Sequence, residues 1–126
     1  MKFNPVTWFE IYVDDMERAS RFYEAVFGYN LQDMSDPSDQ ASQMRMFPGE
    51  MEFHGANGAL VKGEGGKAGG SNVLIYFGCE DCAVEEAKAV AAGGEVITPK
   101  VSIGEFGFCS VVRDTEGNSI GLHSMK

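Results

Sequence analysis

Two segments of this chain, Thr7 to Val13 and Val73 to Cys79, carry the same pattern, and that internal repeat constrains the fold more than any other feature. The first copy reads Thr7-Trp8-Phe9-Glu10-Ile11-Tyr12-Val13, then an acidic turn at Asp14-Asp15, then a helical stretch that stops at Gly28. The second reads Val73-Leu74-Ile75-Tyr76-Phe77-Gly78-Cys79, then Glu80-Asp81, then a helical stretch that stops at Gly93-Gly94. A constant offset lays Val13 on Cys79, Asp15 on Asp81 and Gly28 on Gly94. A chain built from two copies of one small unit is expected to place its function between the copies.

Alternation assigns the faces of the two repeated strands. Phe9, Ile11 and Val13 share one side of the first, and Trp8, Glu10 and Tyr12 the other. The hydrocarbon side is expected beneath the following helix, where Ala19, Phe22, Tyr23 and Val26 recur at helical spacing. Asp14-x-x-Glu17 reads as a capping box and Gly28 as the left-handed stop. In the second copy Ile75, Phe77 and Cys79 take the helix-facing places and Leu74, Tyr76 and Gly78 the other side. Asp81 caps a helix with Val84, Ala87 and Ala91 on its apolar face.

The polar stretch from Asp33 to Gln43 reads as a loop. Short strands are expected near Gln43 to Phe47, Glu50 to His54 and Ala59 to Lys62. Others are expected near Glu95 to Ile97, Phe108 to Arg113 and Ile120 to His123. Asp114-Thr115-Glu116-Gly117-Asn118 is a hairpin turn in which Gly117 supplies positive φ. Gly63 to Gly70 is a glycine-rich linker, without the strand, helix and terminal Lys-Ser/Thr of a phosphate loop. The expected fold is α+β, of two tandem βαβββ units: residues 1–62, a linker at 63–71, and residues 72–126.

With 126 residues and 44% apolar content, one compact domain or two fused half-domains can form. A net charge of −9 without any basic cluster excludes a nucleic-acid surface and favours neutral or cationic partners. No apolar run has membrane-spanning length, and Met1 leads straight toward a strand, so a cytoplasmic protein is expected. Three cysteines cannot all pair, which fits reduced thiols. Cys79-x-x-Cys82 lacks a second pair and reads as structural. Met34, Met44, Met46 and Met51 could line an adaptable pocket or simply fill space. His54 reads as a surface histidine.

Val13-Asp14-Asp15-Met16-Glu17-Arg18-Ala19, Phe22-Tyr23 and Asp114-Thr115-Glu116-Gly117-Asn118, set in the βαβββ repeat, resemble the vicinal oxygen chelate superfamily. This is the glyoxalase I, bleomycin-resistance and extradiol dioxygenase group, and the chain is most similar to its predicted enzymes related to lactoylglutathione lyase. The resemblance implies that each unit curls into half of a cup and that paired units, commonly in a homodimer, enclose a cavity.

In metal-binding members, His or Glu side chains enter the cup from the first and last strand of each unit. Those positions fall here on Trp8, Leu74, Gly121 and, by matching Asn57 to Asn118, Leu60. An indole, two aliphatic chains and a glycine are no ligands for zinc, nickel or iron, so neither metal nor cofactor is expected. Glu10 and His123, two residues beyond Trp8 and Gly121, share the cup-facing sides with Tyr12 and Tyr76. They are candidates for an acid/base pair, or for polar residues that keep a pocket wet. The expected function is binding of a small organic molecule, favourably a cationic one, in a metal-free cup. The alternatives are a metal-independent lyase or isomerase using Glu10 and His123, a metal-dependent lactoylglutathione-lyase-like enzyme, and a vestigial, dimerising cup.

Overall fold

The computed structural model describes residues 3–50, 52, 54–64, 66, 68–69, 73–115 and 117–126. The chain divides into two compact units, residues 8–73 and residues 1–7 with 74–126. They are called the N-terminal and C-terminal units below.

The expected βαβββ order holds in both halves. The first runs β1 (Val6–Tyr12), α1 (Met16–Phe27), β2 (Gln32–Asp36), β3 (Asp39–Met46) and β4 (Asn57–Lys62). The second runs β5 (Val73–Gly78), α2 (Cys82–Ala91), β6 (Glu95–Ser102), β7 (Phe108–Arg113) and β8 (Ser119–Ser124), with a 3-10 turn at Gly104–Phe106. Strand order is β2-β3-β4-β1 in one and β5-β8-β7-β6 in the other. In each, the opening strand pairs parallel with the closing one, and the remaining ladders are antiparallel. The fold class is therefore α+β.

The repeated aspartates do the same work twice. Asp15 caps α1 by accepting from Arg18 N at 3.0 Å, and Asp81 caps α2 by accepting from Ala83 N at 3.0 Å. Each satisfies a backbone donor that the helix leaves without a partner. The expected Asp14-x-x-Glu17 box is corrected by one residue, because α1 starts at Met16. Gly28 ends α1 at φ 72, while α2 stops at Ala92 with Gly93 at φ 102 beyond it.

Sheet faces follow the alternation, and helix faces do not. Phe9, Ile11 and Val13 join Met16, Leu31, Phe47 and Leu60 in the core under α1, and Phe77 and Cys79 join Cys82, Val112 and Leu122 under α2. However, Phe22 and Val26 are 58% and 56% exposed rather than packed under α1. Val84, Ala87 and Ala91 are likewise exposed on α2, and Ile75 is only partly covered.

Polar residues hold the inward places instead, because the sheet supplies partners for them. Buried Ser20 accepts from Arg45 Nη1 at 2.9 Å, and Arg45 also bridges Asp33 at 2.9 Å and Glu17. On α2, Glu86 Oε2 accepts from Lys100 N and from the fully buried Ser110 hydroxyl, both at 2.8 Å.

The stretch expected as a loop from Asp33 to Gln43 is the β2–β3 hairpin. Its turn at Pro37-Ser38 is closed by Ser38 N donating to Asp36 Oδ1 at 2.8 Å. Its polarity records an exposed edge, not irregular backbone. The strand expected at Glu50 to His54 is not formed at Glu50, Glu52 or His54, and Met51 and Phe53 lie outside the described residues. His54 is exposed, as expected. The turn before β8 closes through Asp114 N donating to Asn118 O at 2.9 Å, with Gly117 at φ 86.

Candidate functional site

The side of the N-terminal sheet away from α1 is built around β1. Trp8 and Tyr12 pack there with Met34, Met44, Ala59 and Val61. Register sets Glu10 opposite Ala59 and Tyr12 opposite Val61, which pairs in turn with Met44 and through it with Met34. Directly opposed residues share a face, so one carboxylate sits among two aromatic rings, two thioethers and two small aliphatic groups.

Glu10 is 9% exposed, and Trp8 donates its indole N–H to Glu10 Oε2 at 3.1 Å. The bond fixes both side chains, and a charge-assisted bond of this kind offsets part of the cost of taking a carboxylate out of water. Tyr12 is pushed up to about 12, first by burial and then by the negative charges of Glu10, Asp39 and Asp36. Its phenol is thus a protonated donor in a negative field.

The face shows what sequence reasoning missed. Asp36 and Asp39 lay in the stretch assigned to a loop, and Gly66 in the linker. A Cβ on Gly66 would stand 2.5 Å from Tyr12 Cγ, so this linker residue lies against the Tyr12 ring. Of the methionines, Met34 and Met44 join the face, a signal already present in their clustering. Met51 lies outside the described residues.

Leu60 requires correction. It is fully buried in the core under α1, and its neighbours Ala59 and Val61 take the opposite face. Pairing gives the reason: Glu10 stands opposite Ala59 as its repeat counterpart Tyr76 stands opposite Gly121. Matching Asn57 to Asn118 therefore misplaced the last strand by one residue.

The C-terminal unit presents Tyr76, Gly121 and His123 on the sheet side away from α2. A Cβ on Gly121 would lie 2.3 Å from Tyr76 Cδ2, so the tyrosine ring lies across the strand where glycine leaves room. His123 stands opposite Cys109, and its Nε2 is 2.6 Å from the Phe106 carbonyl oxygen. Because a carbonyl only accepts, Nε2 carries a hydrogen in this contact, and in the neutral ring Nδ1 is the nitrogen left to accept. Leu74 is half-buried at the start of β5. Gly78 faces the Phe3 ring and the Thr7 methyl, each within 3 Å of where its Cβ would be.

The residues at the ligand positions implied by the resemblance do not fit a transition metal. Trp8, Leu74, Gly121 and, after the correction, Ala59 provide neither imidazole, carboxylate nor thiolate. Cys79 is pushed up to about 11, first by burial and then by the charge of Glu85, which makes it a poor nucleophile at neutral pH.

Comparison with known proteins agrees with this architecture. Residues 6–40 match the family described as bleomycin resistance protein-like N-terminal. The chain is 30% identical over 110 residues to "Putative glyoxylase CFP32" of Mycobacterium bovis, covering 87% of this chain but only 40% of that protein. It is 27% identical over 118 residues to a glyoxylase-like domain-containing protein of Didymella fabae, covering 90% of this chain and 88% of the relative. Among solved structures, methylmalonyl-CoA epimerase from Mycobacterium tuberculosis superposes with a TM-score of 0.68 at 15% identity, over 97% of this chain and 88% of the epimerase. The fold is that of glyoxalases and bleomycin-resistance proteins. These likenesses together support the vicinal oxygen chelate superfamily as the group that this chain resembles.

Proposed function

We propose that this chain binds a small organic molecule, neutral or cationic, against the Trp8–Glu10–Tyr12 face, and that it does so without a transition metal. The observation that carries the reading is the buried Glu10 carboxylate, aimed by the Trp8 indole and set among aromatic rings and thioethers. A carboxylate held among rings in this way can also accept from a ligand amine or hydroxyl.

The epimerase neighbour supports a role in handling small molecules. Its CoA thioester is a poor candidate here, since Glu10, Asp36 and Asp39 already raise Tyr12 by their charge and would repel a polyphosphate. The net charge of −9 points the same way. Leu74, Tyr76, Gly121 and His123 are proposed as ligand contacts on the C-terminal unit's own sheet. A cytoplasmic homodimer completes it. Among the described residues, no helix is long and apolar enough to cross a membrane.

A second reading, metal-independent proton transfer, is favoured by His123: its Nε2–H is held by the Phe106 carbonyl, which orients Nδ1 as an acceptor. The two readings part on one pair of variants. Trp8 is the sole tryptophan, so its emission reports ligands arriving beside Glu10. For a pure binder, Glu10→Gln weakens a ligand found by this emission by about 1–3 kcal/mol and nothing turns over. For an enzyme, Glu10→Gln or His123→Asn cuts turnover roughly a hundredfold with affinity nearly intact. A ligand that neither perturbs Trp8 nor responds to Glu10→Gln removes the binding reading. Loss of binding after exhaustive chelation removes its metal-free part.

A further inference from the structure

The N-terminal unit carries a concavity on the α1 side of its sheet, opposite the Trp8–Glu10–Tyr12 face. It is a depression of about 330 Å³ walled by Phe9, Tyr23, Phe27, Tyr29 and Phe47, with Asn57 at its edge. Four of those rings close a circuit. Centroids are 5.4 Å apart from Tyr23 to Phe47, 5.8 Å from Phe47 to Tyr29, 5.3 Å from Tyr29 to Phe27 and 6.2 Å from Phe27 to Tyr23. Tyr23 and Tyr29 stand at 85° and 82° to Phe47.

Rings that only filled a core would be withdrawn from water. Here Phe47 forms a floor at 6% exposure, while Phe27 and Tyr29 stand 57% and 40% exposed at the rim. The circuit is therefore fixed at its base and open above.

Its chemistry selects among occupants. Ring faces carry negative potential, no lysine or arginine lines the depression among the described residues, and the adjoining depression that shares Phe47 and Pro48 adds Glu50. An anion would meet only repulsion there. A neutral apolar group would gain burial alone. An organic ammonium would gain burial, the quadrupoles of several rings and the field of a net −9 chain. The volume lies at the small end for ligand pockets, a size for a headgroup rather than a large cofactor.

We propose that this depression is a binding site for a methylated ammonium group, held by the Tyr23, Phe27, Tyr29 and Phe47 rings, with Glu50 in the adjoining depression. It is separate from the Trp8–Glu10–Tyr12 face and does not depend on the function proposed for that face.

The test titrates the full chain with choline and with its uncharged carbon isostere, dimethylbutanol, by calorimetry. Choline is expected to bind on the order of tenfold more tightly than the isostere. Phe27→Leu, which keeps apolar bulk and removes the ring face, is expected to cost choline about tenfold and to leave the isostere unchanged; Phe27→Trp restores choline. In the wild-type chain and in Phe27→Leu, where Trp8 is the sole tryptophan, its emission stays constant, because the ligand sits on the other side of the sheet. The proposal is overturned by equal affinity for the two ligands, by no binding of choline, or by Phe27→Leu without effect. It is equally overturned if choline shifts Trp8 emission, or if Phe27→Leu dissociates a dimer in sedimentation, which would make a second copy of the chain the occupant.

Discussion

The two repeats use one backbone plan to carry different side chains. Both start their helices on an aspartate N-cap at nearly the same dihedrals, φ −133 and ψ 104 at Asp15, φ −144 and ψ 107 at Asp81. Both pair their opening strand parallel to their closing strand. At matching places on the sheet the side chains diverge: Glu10 against Tyr76, Ala59 against Gly121, Tyr12 against Gly78 and Val61 against His123. What recurs satisfies backbone hydrogen bonds, which every copy of the unit needs. What differs lines the faces, where no such need constrains the residue, and there the chemistry resides.

The largest expected effect tests the one-residue correction in β4. Leu60→Ala should cost about 3 kcal/mol in denaturant unfolding, because Leu60 is fully buried in the core under α1. A loss under about 1 kcal/mol, coupled to changed ligand binding, would return Leu60 to the opposite face and dissolve the equivalence of Ala59 with Gly121.

That equivalence is sharpened by exchanging the two small residues. Gly121→Ala should cost about 1–3 kcal/mol, since its Cβ would lie 2.3 Å from the Tyr76 ring and the ring must move. Ala59→Gly should cost only about 1 kcal/mol, chiefly through the entropy of the unfolded chain. Equal losses would mean that Tyr76 does not lie across β8 as described.

The smallest effect concerns alkali. Tyr12 is raised to about 12 from 10.0 and Cys79 to about 11 from 9.0, so in each case the folded chain holds its proton more tightly than the unfolded one. That stability is fully present below the unfolded values and is lost as pH rises from about 9 toward 12. Tyr12→Phe should flatten the upper part of this loss by about 1 kcal/mol, after discounting for a half-exposed group. An unaltered alkaline limb in Tyr12→Phe would show that Glu10, Asp36 and Asp39 do not act on the phenol. The acid side runs the other way: Glu17 and Asp81 are held below the usual carboxylate range by Arg45 and Lys100, so their contribution disappears as pH falls through their folded values.

Repetition, strand alternation and local capping were legible from residue order, because each depends on neighbours a few positions apart. The βαβββ order, the faces of β1 and β5, the Asp81 cap and the turn at Gly117 all came from such short-range patterns. Tertiary partners decided the rest. Ser20 and Glu86 turn inward because Arg45, Lys100 and Ser110 receive them, which leaves Phe22, Val26 and Val84 outside against their hydrophobicity. Asp36 and Asp39 became part of the field at Tyr12 only when the hairpin paired with β4, and Leu60 took its side only from the register of β4 on β1. A hydrogen-bond partner across the sheet can offset the periodicity of an apolar stripe, since leaving a buried polar group unpaired costs about 1–3 kcal/mol, as much as exposing one aliphatic side chain.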